Sequence, residues 1–399
     1  MKHLIATLGL FALIIPAKVL ADDGNLAVAW KKGIRFSSSD GNFELAFNGR
    51  IHNDWVFQLA EDEELDAEVG PLQDGVEFRR LRFSFSGSLY KSLIFKADWD
   101  LSGGDADLRD AFVGILDTPV GNLKIGHIHE DYSLQEMTSS NYISFIERPF
   151  IFTPDRNVGI AFYDEVKESN FGWFVGAFRE TDGVGEGSFE DESSISYTGR
   201  VTFAPVYDKA EEQLVHLGVA YSFRNPDRES ARFRARPQNN QQPNFLDTGE
   251  ISAEQIQLVN AELATVLGPL SIQGEYAMAI VDGVDSGSEN LNSWYIESSY
   301  FLTGESKPYK LGRGKFGNIK PLSPFLAEER GSGAWEVKAR YSSTDLSDDL
   351  VQGGEMQIAS TGVNWYLHSN ARVLLDYVYT DLDSVGDSHA LQTRFAVHY

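Results

Sequence analysis

The chain has 399 residues and a formal net charge of −25, which argues against nucleic acid as a partner. It has no cysteine, so disulfide bonds cannot stabilise it and either a large core or a closed hydrogen-bonded sheet has to. Its 36 glycines, only 13 prolines and 12% aromatic residues suit many strands joined by short turns.

The first 21 residues have the form of a cleaved signal peptide. A basic start precedes an apolar stretch from Leu4 to Pro16, and Ala21 is the small residue that signal peptidase requires. The stretch is shorter than the roughly 20 residues that a membrane-spanning helix needs. We therefore predict a signal peptide at residues 1–21 and a mature, exported domain at residues 22–399.

Strand-like alternation begins near Phe43 and recurs to the end of the chain. In residues 75–89, Leu81 and Phe83 fall on one face, whereas Arg80 and Arg82 fall on the other. We count about sixteen such segments of roughly ten residues, the even-numbered pattern of antiparallel outer-membrane barrels. The sequence thus predicts an all-β protein, a sixteen-stranded antiparallel outer-membrane β-barrel. Similar segments occur at residues 43–58, 93–100, 215–224, 335–341, 372–380 and 391–399.

The connections between segments alternate in length. Tight turns occur at residues 116–122, 268–269 and 368–370, and long polar loops at residues 60–74, 130–156, 180–193 and 225–253. Barrels of the bacterial cell outer membrane place short turns in the periplasm and long loops outside. The terminal Tyr399 also fits an outer-membrane assembly signal, so we expect membrane lipid and lipopolysaccharide as surroundings.

One connection breaks this rule. Residues 304–333 are long, yet strand parity puts them on the periplasmic side. The segment is basic in an otherwise acidic chain, which indicates either a functional turn or merely a solvated one. Its basic residues before Pro321 are Lys307, Lys310, Arg313, Lys315 and Lys320.

Several motifs together resemble the phosphate-selective porin O and P family. The resemblance implies a homotrimeric sixteen-stranded porin in which inward-folded loops and one periplasmic turn line a path for small, phosphate-like anions, without a cofactor. The motifs run in order over nearly the whole mature chain. They lie at residues 30–36, 39–43, 49–50, 77–82, 109–114, 138–142, 147–148, 156–159, 234–237, 247–249 and 333–341.

An anion path through a barrel needs positive charge spaced along its route, at several sites that each bind weakly. Arginine suits oxyanions because its planar fork stays charged, while lysine acts as a point charge. With the family's inward loops as a guide, candidates fall at three levels. The outermost are Arg232, Arg234 and Arg236, with Arg228; the middle ones are Arg50, Arg79, Arg80 and Arg148; the innermost are Lys310, Arg313 and Lys315.

Each candidate has a simpler explanation. Arg80 could be paired with acids of neighbouring strands, and Arg148 with Glu147. The arginines of the 225–253 loop could contact lipopolysaccharide phosphates. Because side chains alternate along a regular strand, the adjacent residues Arg79 and Arg80 cannot both face the barrel lumen. That assignment requires a bulge or a position near the rim.

Other functions remain open at this stage. His129 stands where family members carry a lysine, and the external loops are acidic, so a general or cation-preferring porin is the main alternative. A non-conducting structural barrel is another. A barrel enzyme is disfavoured because no nucleophile motif surrounds His127, His129 and Ser133, and two histidines without a third ligand are a weak metal site.

Overall fold

The computed structural model describes residues 26–30, 33–181, 195–226, 229–283, 287–328 and 330–399; the predicted signal peptide lies outside these residues. The regular secondary structure of these residues consists of strands and short helical segments. In chain order the strands are β1 Leu26–Trp30, β2 Ile34–Ser38, β3 Phe43–Glu61, β4 Gly75–Leu89, β5 Leu93–Asp100, β6 Asp107–Thr118, β7 Gly121–His129, β8 Arg156–Val166, β9 Phe171–Arg179, β10 Ile195–Asp208, β11 Gln213–Arg224, β12 Ser230–Ala231, β13 Arg234–Ala235, β14 Leu246–Asp247, β15 Ile251–Ser252, β16 Gln255–Leu267, β17 Leu270–Gly283, β18 Gly287–Phe301, β19 Tyr309–Lys310, β20 Lys315–Phe316, β21 Ala334–Ser347, β22 Gln352–His368, β23 Ala371–Leu382 and β24 Gly386–His398. The helices are α1 Glu63–Val69 and α2 Leu134–Met137, and two 3₁₀ turns lie at Lys167–Ser169 and Leu311–Arg313.

Sixteen of these strands, β3 to β11, β16 to β18 and β21 to β24, form one closed antiparallel barrel. Each pairs with the next, and β24 pairs with β3 from Arg50 to Glu61, which closes the sheet. Closure leaves no free edge along the wall. The predicted strand number is confirmed.

The alternation of each strand separates a lipid-facing surface from the interior. Leu217 and Leu263 face each other across β11 and β16 and are 43% and 56% exposed. The next pair along, Gly218 and Glu262, turns inward, and Glu262 is buried. A one-residue shift would exchange the two faces, so burial of the polar face fixes the register.

The N-terminal hairpin of β1 and β2 extends the wall at one end of the barrel. β2 pairs with the first residues of β3, from Ile34 opposite Phe47 to Ser37 opposite Glu44. Beside it, Gly49 and Tyr399 exchange backbone hydrogen bonds of 2.8 and 3.0 Å. β2 therefore takes the place next to β3 that β24 leaves when the chain ends.

The connections between described strands have the predicted arrangement, whereas most of the loop predicted at residues 180–193 lies outside the described residues. At the end of the barrel opposite the hairpin, hereafter the loop end, lie the segment 62–74 with α1, residues 130–155 (the inner loop, with α2), and residues 225–254 (the outer loop, with β12 to β15). At the other end, the turn end, residues 302–333 form the long turn, with β19 and β20. Among the described residues no helix is long and apolar enough to cross a membrane.

Candidate functional site

The inner loop folds into the barrel and is fastened to one half of the wall. Glu275 of β17 accepts hydrogen bonds from the backbone N–H groups of Leu134 (3.1 Å) and Gln135 (2.8 Å). Asp376 of β23 accepts one from the N–H of Ile146, at 2.7 Å. Buried polar groups need hydrogen-bond partners, and here carboxylates of the wall accept hydrogen bonds from backbone N–H groups of the loop. The loop therefore lies against the β16–β24 half and leaves space beside β3 to β8.

Several buried carboxylates on the interior face of the wall form ion pairs with neighbouring basic residues, most of them in that half. They do not face an open path, because each lies against a basic residue in the interior. The pairs are Asp54 with Arg394 (2.6 Å), Glu262 with Arg200 (2.7 Å), Glu297 with Arg340 (3.6 Å), Glu336 with Lys307 (3.7 Å) and Asp376 with Lys338.

The long turn also enters the lumen and meets the inner loop from the opposite side. Arg313 donates to both carboxylate oxygens of Asp131, at 3.0 and 2.8 Å, and the N–H of Phe316 donates to Thr138 Oγ1 at 3.2 Å. Burial disfavours the charge of Asp131, yet Arg313 and Lys124 hold the pKa of its carboxyl below the usual value. Of the two readings of this basic turn, the structure thus excludes a merely solvated one.

Between the inner loop, the long turn and strands β3 to β8 lies a cavity of about 320 Å³, the constriction cavity. Three carboxylates line it. Asp98 and Asp110 both pair with Lys96, and Glu136 pairs with Arg148 at 3.4 Å. The ten cationic side chains that line it are Arg50, Arg80, Arg82, Lys96, Arg109, Lys124, Arg148, Arg156, Arg313 and Lys315. The excess of positive charge makes this the most basic enclosed space described.

Three of these cations form no ion pair with any described residue. Arg50 donates only to the hydroxyl groups of Ser140 (2.8 Å) and Ser139 (3.4 Å). The Lys124 ammonium lies over the ring of Tyr163, 4.5 Å from its centroid. Lys315 is the third cation without an ion pair. Burial, and then the charge of Arg313, lower the pKa of its ammonium.

Arg80 also has little compensation for its charge. It is 6% exposed, and its nearest carboxylate oxygen belongs to Glu147 at 4.0 Å. Its Nε and Nη1 atoms are buried without a hydrogen-bond partner. Buried guanidinium N–H groups without hydrogen-bond partners are costly, so an anion in the cavity would stabilise Arg80.

A second space, the vestibule, opens from the constriction cavity toward the loop end. It measures about 530 Å³, and Arg148 and Glu136 line both spaces, so the two are adjacent. The remaining basic side chains of the vestibule are Arg79, Arg232, Arg234 and Arg236. Residues of the inner and outer loops form most of its lining.

A third space, the exit cavity, adjoins the constriction at the turn end. It measures about 420 Å³ and shares Arg313 with the constriction cavity. Its lining residues are Asp117, Asn122, Tyr163, Asp164, Glu165, Lys167, Glu168, Gly312 and Arg313. The three spaces follow one another from the loop end to the turn end.

Nine of the ten candidate residues line the vestibule or the constriction cavity. Lys310 lines none of the three spaces; it precedes the turn Leu311–Arg313 that carries Arg313 to Asp131, and it stays exposed. Arg228 lies outside the described residues. The nine are Arg50, Arg79, Arg80, Arg148, Arg232, Arg234, Arg236, Arg313 and Lys315.

The adjacency of Arg79 and Arg80 required either a bulge or a position near the rim, and the pairing contains a bulge. His52 lies opposite Arg80 and Asn53 opposite Phe78, so Arg79 is the extra residue. The bulge brings both arginines to Glu147, but Arg79 binds it through two hydrogen bonds of 2.9 and 3.1 Å. Arg79 is thus mainly an anchor of the inner loop.

Arg148 and Arg232 also have acidic partners. Arg148 pairs with Glu136 rather than with Glu147, and donates to the carbonyl oxygen of Thr138 at 2.7 Å. Arg232 binds Asp247 through two hydrogen bonds of 2.8 and 2.5 Å. Both remain on the lining, with less of their charge available to a solute.

The sequence reasoning missed Lys124, one of the three cations without an ion pair. It read His129 as replacing a lysine of the family, but β7 carries both residues into the constriction cavity. The signal was present, since Lys124 and Ile128 share one face of the alternation. Arg82, Lys96, Arg109 and Arg156 were also missed or set aside, and each has an acidic partner.

The alternatives with other chemistry gain no support. Within the described part of the chain no three His, Asp or Glu residues are placed to hold a metal ion. The Ser133 hydroxyl caps α2 by accepting from the N–H of Glu136 at 3.2 Å. No described hydrogen bond joins it to His127 or His129.

Comparison with known proteins gives consistent matches. The model of the family described as "Phosphate-selective porin O and P" matches residues 45–399. Porin O of Pseudomonas aeruginosa is 25% identical over 93% of this chain and 90% of that protein. An uncharacterized protein of Caulobacter vibrioides is 26% identical over 88% of this chain and 71% of its own length.

Solved structures support the fold. The trimer form of OmpT from Vibrio cholerae superposes with a TM-score of 0.55 at 13% identity, over 90% of this chain and 99% of that one. An anion-selective porin from Comamonas acidovorans gives a TM-score of 0.52 at 11% identity, over 90% and 99%.

Proposed function

Because the chain belongs to the phosphate-selective porin O and P family, it is an anion-selective porin of the bacterial outer membrane, and we propose that small oxyanions diffuse passively through it along one route. This route runs from the vestibule through the constriction cavity to the exit cavity. The loop end is then extracellular and the turn end periplasmic. The channel performs no chemistry on its solutes.

The observation that carries this proposal is the set of cations in the constriction that lack carboxylate partners. Arg50, Lys124 and Lys315 come from three different elements and converge on one cavity with Arg80. If every charge in the lumen were paired, an anion would lose hydration water and gain no new hydrogen bonds in its place. Here the unpaired cations can donate those hydrogen bonds.

Several weak sites in series let an anion move on once it has bound. Arg234 and Arg236 line the vestibule, and Arg148 lines the junction with the constriction. Lys315 and Arg313 lie beyond, where the long turn meets the inner loop. On this proposal an anion passes the outermost, middle and innermost candidates in turn, with Lys310 off the route.

We assign phosphate and similar oxyanions as the preferred solutes. A tetrahedral oxyanion presents several acceptors, which match the Arg50 fork, the Lys124 ammonium and the hydroxyl groups of Ser139 and Ser140. Chloride accepts hydrogen bonds at a single atom, so it should pass while binding less tightly. Phosphate should therefore block chloride current.

The test is the chloride current of single channels, titrated with phosphate, in two matched variants of the long turn. Lys315→Ala removes a cation of the constriction, whereas Lys310→Ala removes one that lies outside all three cavities. A charge-assisted hydrogen bond is worth about 1.5 kcal/mol or more, so the blocking concentration should rise at least about tenfold in Lys315→Ala. Equal block in both variants would contradict the assigned route.

We further propose that the protein assembles as a homotrimer, as the family resemblance implies and as one form of the OmpT neighbour does. Electrophoresis of unheated, detergent-solubilised protein should give a band near three times the 44.4 kDa of the full chain. A band that stays monomeric across mild detergents would argue for independent barrels.

A further inference from the structure

The charge of the lumen changes sign at Arg313. Above it, the constriction cavity has ten cationic side chains and three carboxylates. Below it, the exit cavity has four carboxylates and two cations. The four are Asp117, Asp164, Glu165 and Glu168, and the two cations are Lys167 and Arg313.

The exit carboxylates are only weakly neutralised. Lys167 lies 3.5 Å from Glu165 but is 76% exposed, and exposed pairs of this kind interact weakly. Arg313 is already bound to Asp131. Asp164 accepts from the amide of Asn122 at 3.3 Å, which adds no positive charge. Asp117 and Glu168 form no ion pair with a described residue.

We propose that this charge junction makes the channel conduct anions more readily inward, from the loop end to the turn end, than outward, with Asp117, Asp164, Glu165 and Glu168 as the determinants of direction. The proposal rests on the function proposed above, because it requires an anion-conducting route through both cavities. It concerns the dependence of the current on the direction of the voltage, and not the preference of the channel for anions over cations.

The physical basis is the mobile ions that each region attracts. Fixed positive charge enriches the constriction in anions, and fixed negative charge enriches the exit in cations. When the extracellular side is negative, anions move inward and cations move outward, so both accumulate at the junction and the conductance is high. With the opposite polarity both leave the junction, which is depleted, and the conductance is low.

The effect depends on salt in a defined way. The Debye length is about 8 Å at 0.15 M and about 30 Å at 0.01 M. Each cavity is enriched throughout its width only when the Debye length exceeds that width. The current ratio between the two polarities should therefore grow as salt is diluted, whereas an asymmetry due to shape alone would persist in concentrated salt.

The experiment records current–voltage curves of single channels in 1 M and 0.01 M KCl. The absence of native cysteine lets a Thr153→Cys substitution in the vestibule report orientation. After each curve, a polyethylene glycol maleimide added to one chamber blocks only channels whose vestibule faces it. The test variant is Glu165→Gln/Glu168→Gln. The control, Glu211→Gln/Glu212→Gln, removes two exposed carboxylates of the β10–β11 turn at the same end.

We expect a current ratio of at least about two in 0.01 M KCl, where the Debye length is about 30 Å, with the larger current when the vestibule side is negative. The ratio should approach one in the test variant and stay unchanged in the control. Symmetric wild-type curves, reversed polarity, or equal ratios in both variants would overturn the proposal. The reversal potential, measured on the same channels, tests anion preference separately, so failure of the junction and failure of the proposed function remain distinguishable.

Discussion

At the scale of single residues, an anion site is distinguished by what its cations lack. Arg394, Arg200 and Lys338 are as deeply buried as any residue in the lumen, but each has a carboxylate partner. Lys124 and Arg50 have none among the described residues. Basic residues on the lumen face of the strands are therefore common here, but few of them lack a carboxylate partner and can bind an anion.

Lys124 provides the first prediction at this scale. Lys124→Met keeps much of the packing against Tyr163 and Phe112 but removes the charge. We expect phosphate block of chloride current to weaken by about tenfold or more, because one charge-assisted hydrogen bond is lost. Lys209→Met, at an exposed turn position, is the control. Unchanged block in Lys124→Met would place the phosphate site elsewhere.

Lys315 predicts a dependence on pH. Its pKa lies well below the usual 10.5, so the ammonium loses its charge at a pH at which an ordinary lysine keeps it. Since the protonated form attracts anions, anion preference in KCl should fall as pH rises through this lowered pKa. Lys315→Arg keeps the charge and should remove that part of the pH dependence. Identical pH profiles for the two proteins would show that Lys315 does not contribute.

At the scale of elements, the inner loop divides the lumen into a packed half and an open half. Its end is held through Glu147, which binds Arg79 and also Arg394 at 2.7 Å. Burial opposes the charge of Glu147, but Arg79 and Arg394 lower the pKa of its carboxyl far below the usual range. The width and selectivity of the constriction cavity thus depend on anchors that lie outside its lining.

Glu147→Gln tests this anchoring. Removing one partner of a buried ion pair costs about 3–5 kcal/mol because the remaining charges are left unpaired. We expect a lower thermal unfolding temperature and a noisier, less selective open-channel current.

Glu136→Gln is the matched control within the same loop, because its pair with Arg148 is longer and partly exposed. It should alter stability little. Equal losses of stability in the two variants would mean that Glu147 is not a special anchor.

The elements also show how far sequence reasoning extends. Alternation identified the wall because strand geometry is local. The adjacency of Arg79 and Arg80 required either a bulge or a position near the rim, and β4 contains the bulge. Which half of the wall the inner loop covers depends on contacts such as Glu275 with Leu134, over 141 residues of chain. No local pattern encodes them, so Lys124 could not be ranked above Arg79.

At the scale of the whole molecule, the net charge of −25 and the basic route are compatible because the charges are segregated. Acidic residues lie in exposed loops and in buried ion pairs, while the constriction keeps its excess of cations. Surface charge acts over only about 8 Å at physiological salt. The lining of the narrow part therefore decides ion preference, and composition does not.

The most direct measurement is the reversal potential of the wild-type channel in a tenfold KCl gradient at neutral pH. A basic constriction predicts a shift toward the equilibrium potential of chloride, and a larger shift as both solutions are diluted, because screening weakens. A shift toward the equilibrium potential of potassium would contradict the assigned route, since it would mean that the acidic residues and not the cations of the constriction govern the passage of ions.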